Sequence, residues 1–158
     1  MAEPLFDAAT ARNAAPQSLR IVIGENNADL AITLGLLLDA EPDMQCVATG
    51  GSATAVLASL DQHAPNAFIL DLSLDDGPSL PLISKLRERL PSAAIVVFTG
   101  HKNELLTEHC LRAGADALVV KSGDFEELTA TLRRVVGSAQ TPREPGAGPG
   151  ADAHSADG

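Results

Sequence analysis

The sequence predicts an α/β domain, a doubly wound five-stranded parallel sheet with helices on both faces, and three observations carry that expectation. Short β-branched runs alternate with amphipathic stretches five times along the core, the pattern of strand–helix units that build a parallel sheet. The runs are continuously apolar and not alternating, as expected of strands covered on both faces. Proline and glycine fall between the stretches, where they end helices.

The strands are expected at Arg20 to Ile23, Met44 to Ala48, Ala67 to Leu70, Ile95 to Phe98 and Ala117 to Val120, each about the length of a buried strand. The helices fall between and after them. Leu30, Leu34, Leu37 and Leu38 mark Ala28 to Ala40, and Val56, Leu57 and Leu60 mark Ser52 to Gln62. Ser79 to Leu90 and Asn103 to Ala113 follow, and Leu128, Leu132 and Val135 mark Phe125 to Val136; such spacing lines one helical face. Gly114 and Gly137 read as stops, and Pro42, Pro65 and Pro91 punctuate the rest. Right-handed crossovers put helices on both faces, and the strand order 2-1-3-4-5 directs ligands to the carboxyl ends of the strands.

Composition narrows the function. The chain has 158 residues, 45% of them apolar, and a net charge of −10 with 11 basic residues. One core of ordinary size fits that length, and no basic stripe is present to neutralise a nucleic-acid backbone. No apolar run is long enough to span a bilayer and the N-terminus lacks a signal pattern, so no membrane partner and a cytoplasmic address are expected. Residues 1–18 and 138–158 are rich in Ala, Gly, Pro and polar residues and are expected as flexible tails around a domain at 19–137. Cys46 and Cys110 lack CxxC spacing and are expected as buried reduced thiols.

Four strand ends then carry the chemistry. The first strand runs into Glu25 and Asn26, the third into Asp71, the fourth into Thr99 and the fifth into Lys121. In the order 2-1-3-4-5 these ends open onto one edge. A nucleophilic aspartate attacking an anionic phosphorus centre needs its charge offset, and Mg²⁺ on one or two carboxylates is the usual means. A lysine and a hydroxyl can then orient and neutralise the oxygens of the transferring group. Taken singly, each residue has a plainer reading: Asp71 a turn cap, Thr99 a strand residue, Lys121 a surface cation, Glu25 a helix-start acid. Asp29 is assigned to that last role.

In "IVIGENNADLA", "FILDLSLDDG", "VVFTGH" and "AGADALVVKSGDFEEL" the core resembles the receiver domain of two-component response regulators, over about residues 19–137. The resemblance implies a flavodoxin-like receiver fold with Asp71 as phosphoacceptor, Glu25 and Asn26 at the acidic-pair positions, Ser73 facing the metal through its backbone carbonyl, Thr99 as hydroxyl and Lys121 as phosphate partner. It implies a histidine kinase or histidine phosphotransfer protein as donor, and an output surface at the fourth helix, fifth strand and fifth helix. Receivers that carry a C-terminal helix-turn-helix are most similar; with no such module following, a stand-alone receiver is expected. Whether it forms a homodimer through the last helix is left open.

Two positions, Asn26 and Leu118, depart from the family pattern, and His101 stands at a third position of interest. Asn26 stands where an Asp usually ligates the metal, so weakened Mg²⁺ binding is expected, with Asp75 or Asp76 as replacement carboxylates. Leu118 stands where a Tyr or Phe usually turns inward, so any switch must run through backbone and loop packing. His101 falls where receivers tune water access to the phosphoryl group; the alternative is a solvated loop histidine. Three functions compete. The first is a signalling phosphoacceptor that processes no metabolite, the second a degenerate receiver that acts as a phosphorylation-independent interaction module. The third is an aspartate-nucleophile phosphatase of the dehalogenase type, which would need an acid where Ser73 stands.

Overall fold

The computed structural model describes residues 18–122 and 124–138. The tails expected at 1–18 and 138–158 lie outside the described residues, Ser18 and Ser138 excepted. Strands β1 (Leu19–Gly24), β2 (Met44–Gly50), β3 (Ala67–Leu70), β4 (Ala94–Thr99) and β5 (Ala117–Val120) alternate with helices α1 (Ala28–Asp39), α2 (Ala53–His63), α3 (Leu80–Arg89), α4 (Glu104–Ala113) and α5 (Phe125–Ser138). The strands form one parallel sheet in the order β2-β1-β3-β4-β5. Expected and observed fold class and order coincide.

The periodicity that located each helix also decides its face. Leu34 and Leu38 of α1 join Leu128, Leu132 and Val135 of α5 against Ile21, Ile23, Ile69 and Val96 on one side of the sheet. Val56 of α2, Leu82, Ile83 and Leu86 of α3 and Cys110 of α4 meet Val22, Phe68, Leu70, Ile95 and Val97 on the other. Burying each large apolar side chain contributes about 1.5–3 kcal/mol, which is why these positions fix the winding. Several expected helix starts, Ser52, Ser79 and Asn103, are the residues just before the first helical turn. Ser52 and Asn103 cap it by accepting from Ala55 and Leu106, as short polar side chains do.

Two expectations fail locally. Strand β2 is an edge strand with mostly half-exposed residues, so its apolar run is not covered on both faces. Gly137 does not stop α5, which runs on to Ser138; glycine costs about 1 kcal/mol in a helix and does not forbid one. Gly114 does end α4, with φ +125°.

At the amino ends of the strands, Arg87 of α3 is wholly buried. Its guanidinium donates to the carbonyls of Pro91, Ala93 and Gly114 and pairs with Asp116 at 2.9 Å. Asp116 also accepts from the Ile95 N–H. This buried pair ties α3 to the starts of β4 and β5, at the edge remote from the site described next.

Candidate functional site at the strand ends

Register places the strand ends level. Gly24 pairs with Leu70, Leu70 with Val97 and Thr99 with Val120. Beyond those pairs the chain turns polar, at Glu25, Asp71 and Lys121. The first residues past the sheet are held by its last hydrogen bonds: Asp71 N–H donates to Gly24 O (2.8 Å), Glu25 N–H to Gly50 O (2.9 Å) and Lys121 N–H to Thr99 O (2.7 Å).

Lys121 joins two of the carboxylates. Its Nζ lies 2.9 Å from Glu25 Oε1 and 3.2 Å from Asp71 Oδ2. Glu25 is buried, its side chain 2% exposed, and its other oxygen accepts from the Asn27 N–H at 3.1 Å. A buried acid is tolerable only when paired and hydrogen-bonded, and these partners supply both. Burial works against the Lys121 ammonium, but the Glu25 and Asp71 carboxylates outweigh it and raise its pKa above 10.5. Lys121 is therefore a fixed positive charge at any physiological pH.

Of the residues singled out from sequence, the structure brings Glu25, Asp71 and Lys121 into contact and fixes Thr99 beside Lys121 through the backbone. Thr99 is buried, and its Oγ1 accepts from the His101 N–H at 3.3 Å. Asn26 and Ser73 are exposed; Ser73 lies in a two-residue strand, Ser73–Leu74, paired antiparallel with Gly77–Pro78. His101 is exposed on the loop after β4. Asn27, passed over in the sequence, caps α1 by accepting from Leu30, and Asp29 sits in that first turn as expected.

The Glu25 and Asp71 carboxylates that meet at Lys121 are hard oxygen donors of the kind that suits Mg²⁺, which keeps several waters. Among the described residues no three His, Cys, Asp or Glu side chains gather as a metal site. The replacement carboxylate expected from Asp76 is engaged elsewhere: it accepts from the N–H groups of Ala53 and Thr54 at the start of α2, which lowers its pKa.

The receiver domain of response regulators matches residues 21–133 of the chain. The chain belongs to the response regulator receiver family. The oxygen regulatory protein NreC of Staphylococcus haemolyticus is 30% identical over 118 residues, 74% of this chain and 54% of NreC. The NreC of Staphylococcus carnosus is likewise 30% identical, so the receiver spans about half the length of the curated relatives it matches. A LuxR-family two-component response regulator from Aurantimonas sp. SI85-9A1 superposes with a TM-score of 0.72 at 20% identity, over 89% of this chain and 97% of that one. The response regulator domain of Thermotoga maritima CheB gives 0.69 at 16%, over 77% and 98%; these two speak for the fold.

Within this receiver, Leu118 is buried in the sheet core among Ile95, Val97 and Cys110. Its carbonyl accepts from the Lys102 ammonium at 3.3 Å. Lys102 carries no signal in the sequence, because a lone loop lysine is indistinguishable from a solvated one. Cys110 is buried and Cys46 partly so, and burial raises both thiol pKa values, which keeps them protonated and unreactive at neutral pH. No helix among the described residues is long and apolar enough to cross a membrane.

Proposed function

We propose that this receiver accepts a phosphoryl group on Asp71 and signals through protein contacts. The observation that carries the reading is the Lys121 ammonium held between Asp71 and Glu25 at the carboxyl ends of the strands. An Asp71 oxygen forms a bond to phosphorus as the phosphorus–nitrogen bond of a phosphohistidine breaks, its electron pair leaving with the imidazole. Lys121 and the Thr99 hydroxyl bind and orient the phosphoryl oxygens. Mg²⁺, held by Asp71, the Ser73 carbonyl, Asn26 and Glu25, would offset the negative charge of the incoming group. The donor is a histidine kinase or histidine phosphotransfer protein in the cytoplasm. No metabolite is turned over; the chemistry is the protein's own phosphorylation and slow hydrolysis.

Exposed apolar side chains mark where such partners can dock. Ile32, Leu36 and Leu37 of α1 are 58%, 68% and 42% exposed, and α1 starts beside the site, so its face suits the donor. Helix α4 buries only Cys110 and exposes Leu105, so α4, β5 and α5 suit the output. Incubation with a small acyl phosphate and Mg²⁺, read by intact mass, should add one phosphate that Asp71→Ala abolishes. No mass gain would favour the second reading, an interaction module independent of phosphorylation, to which the exposed Asn26 and buried Leu118 lend support.

A further inference from the structure

The turn after β3 is fastened to α2 by contacts that the phosphoacceptor chemistry does not require. Its two short strands pair Ser73 with Pro78 and Leu74 with Gly77, Leu74 is buried, and Ser79 N–H donates to Leu72 O at 2.9 Å. Asp75 and Asp76 form the tip. Asp75 N–H donates to Gly51 O at 2.8 Å. Asp76 accepts from Ala53 N–H at 2.8 Å through Oδ1, and from Thr54 N–H at 3.2 Å and Thr54 Oγ1 at 3.0 Å through Oδ2.

Helix α2 already has a local cap, since Ser52 accepts from Ala55 N–H at 3.0 Å. That cap serves the third helical N–H; Asp76 serves the first two, which Ser52 leaves open. The approach is close: a Cβ on Gly51 would stand 2.7 Å from Asp75 Oδ2. The stretch that receives these contacts also holds the end of β1, because Glu25 N–H donates to Gly50 O. Residues 50–54 are thus a common anchor for the end of β1 and for the turn that contains Ser73.

We propose that Asp76 is a positioning residue, which by capping α2 from the neighbouring turn holds the Ser73 carbonyl in place for the divalent cation. The proposal rests on the reading of the site given above. With Asn26 supplying no charge, the cation depends more on where neutral oxygens are placed, and the clasp fixes one of them before the cation arrives, so no ordering cost falls on binding.

The test uses the unphosphorylated full chain with two readouts, amide hydrogen exchange of residues 73–77 and Mg²⁺ titration of the Asp71 and Ser73 amide resonances. Asp76→Ala should speed exchange in the turn and raise the Mg²⁺ concentration at half-saturation, each by about fivefold. Asp76→Asn, which keeps one acceptor oxygen, should fall between Asp76→Ala and the parent. Ser52→Ala removes the local cap of the same helix; it should lower Tm comparably yet leave both readouts within about twofold. Equal half-saturation in Asp76→Ala and the parent, or an equal shift in Ser52→Ala, would overturn the proposal. If the parent itself shows no Mg²⁺-dependent shift at Asp71 or Ser73, the reading of the site fails and with it the cation half of the proposal. Unchanged exchange in Asp76→Ala would separately show that no clasp exists.

Discussion

Replacing Asn26 with Asp restores a charge at a position where the chain supplies only an amide. A unit negative charge about 4 Å from a divalent cation is attracted by about 2 kcal/mol with water-like screening and by about 8 kcal/mol at an effective dielectric of 20, before desolvation. Asn26 is exposed, so the lower figure governs. About 2 kcal/mol corresponds to roughly thirtyfold in affinity, and the aspartate keeps an oxygen where the amide oxygen stood, so no ligand is lost in the exchange. Without Mg²⁺ the same substitution adds a third carboxylate near Glu25 and Asp71, with Lys121 the cation in contact with both. Asn26→Asp should therefore melt lower than the parent at low ionic strength without Mg²⁺ and recover when the ion is added. The chain has no Trp and no Tyr, so calorimetric or NMR titration is the assay. Equal Mg²⁺ affinities for parent and variant would refute the reasoning, because the ion would then not sense the charge at position 26.

Arg87→Ala removes the guanidinium from a fully buried ion pair and from three carbonyls, and should cost about 3–5 kcal/mol in urea unfolding; a loss below 1 kcal/mol would mean water replaces it. Leu36→Glu on the exposed face of α1 should block transfer from a phosphohistidine protein while leaving phosphorylation by acyl phosphate and the melting temperature unchanged; equal loss with both donors would place Leu36 outside the docking face. The Lys121 pKa is raised above 10.5 in the folded protein, so its pairing contributes fully below 10.5 and is lost only as pH rises through the raised value. The phosphorylation rate between pH 6 and 9 should accordingly show no break that Lys121→Arg abolishes.

What the sequence reveals and what it hides follow from the range of the interactions involved. Helix and strand positions were legible because leucines at helical spacing and β-branched runs report burial locally, and the five strand ends lie within two residues of expectation. The convergence of Glu25, Asp71 and Lys121 was legible once strand order was inferred, since the order alone brings those ends to one edge. The ribbon at Ser73–Leu74 and Gly77–Pro78 is too short to show any period. Asp75 or Asp76 was an expected replacement for the charge missing at Asn26; the partners of Asp76, Ala53 and Thr54, lie more than twenty residues away in sequence. Arg87 reads as the polar side of α3, and only the fold shows that three carbonyls from two connections are aimed at it.

The departure at Leu118 changes how a signal can leave the site. A leucine packed among Val97 and Cys110 has no ring to swing inward, so rotation of this side chain is not available as the relay. The backbone offers another route. Thr99 holds the His101 N–H through its hydroxyl, and Lys102, the next residue, is tethered to the Leu118 carbonyl. On the proposed phosphorylation of Asp71, movement of the Thr99 hydroxyl toward the phosphoryl group would weaken its bond with the His101 N–H and load the Lys102 tether one residue on. Beyond it, α4 starts at Glu104 behind an Asn103 cap and buries only Cys110 near its far end, so its first turns resist displacement least. Phosphorylation should then be read most strongly as faster amide exchange at residues 101–107. Lys102→Ala should bring part of that change into the unphosphorylated state without altering the rate at which Asp71 is modified. Identical exchange in α4 before and after phosphorylation would show that the signal leaves by another face.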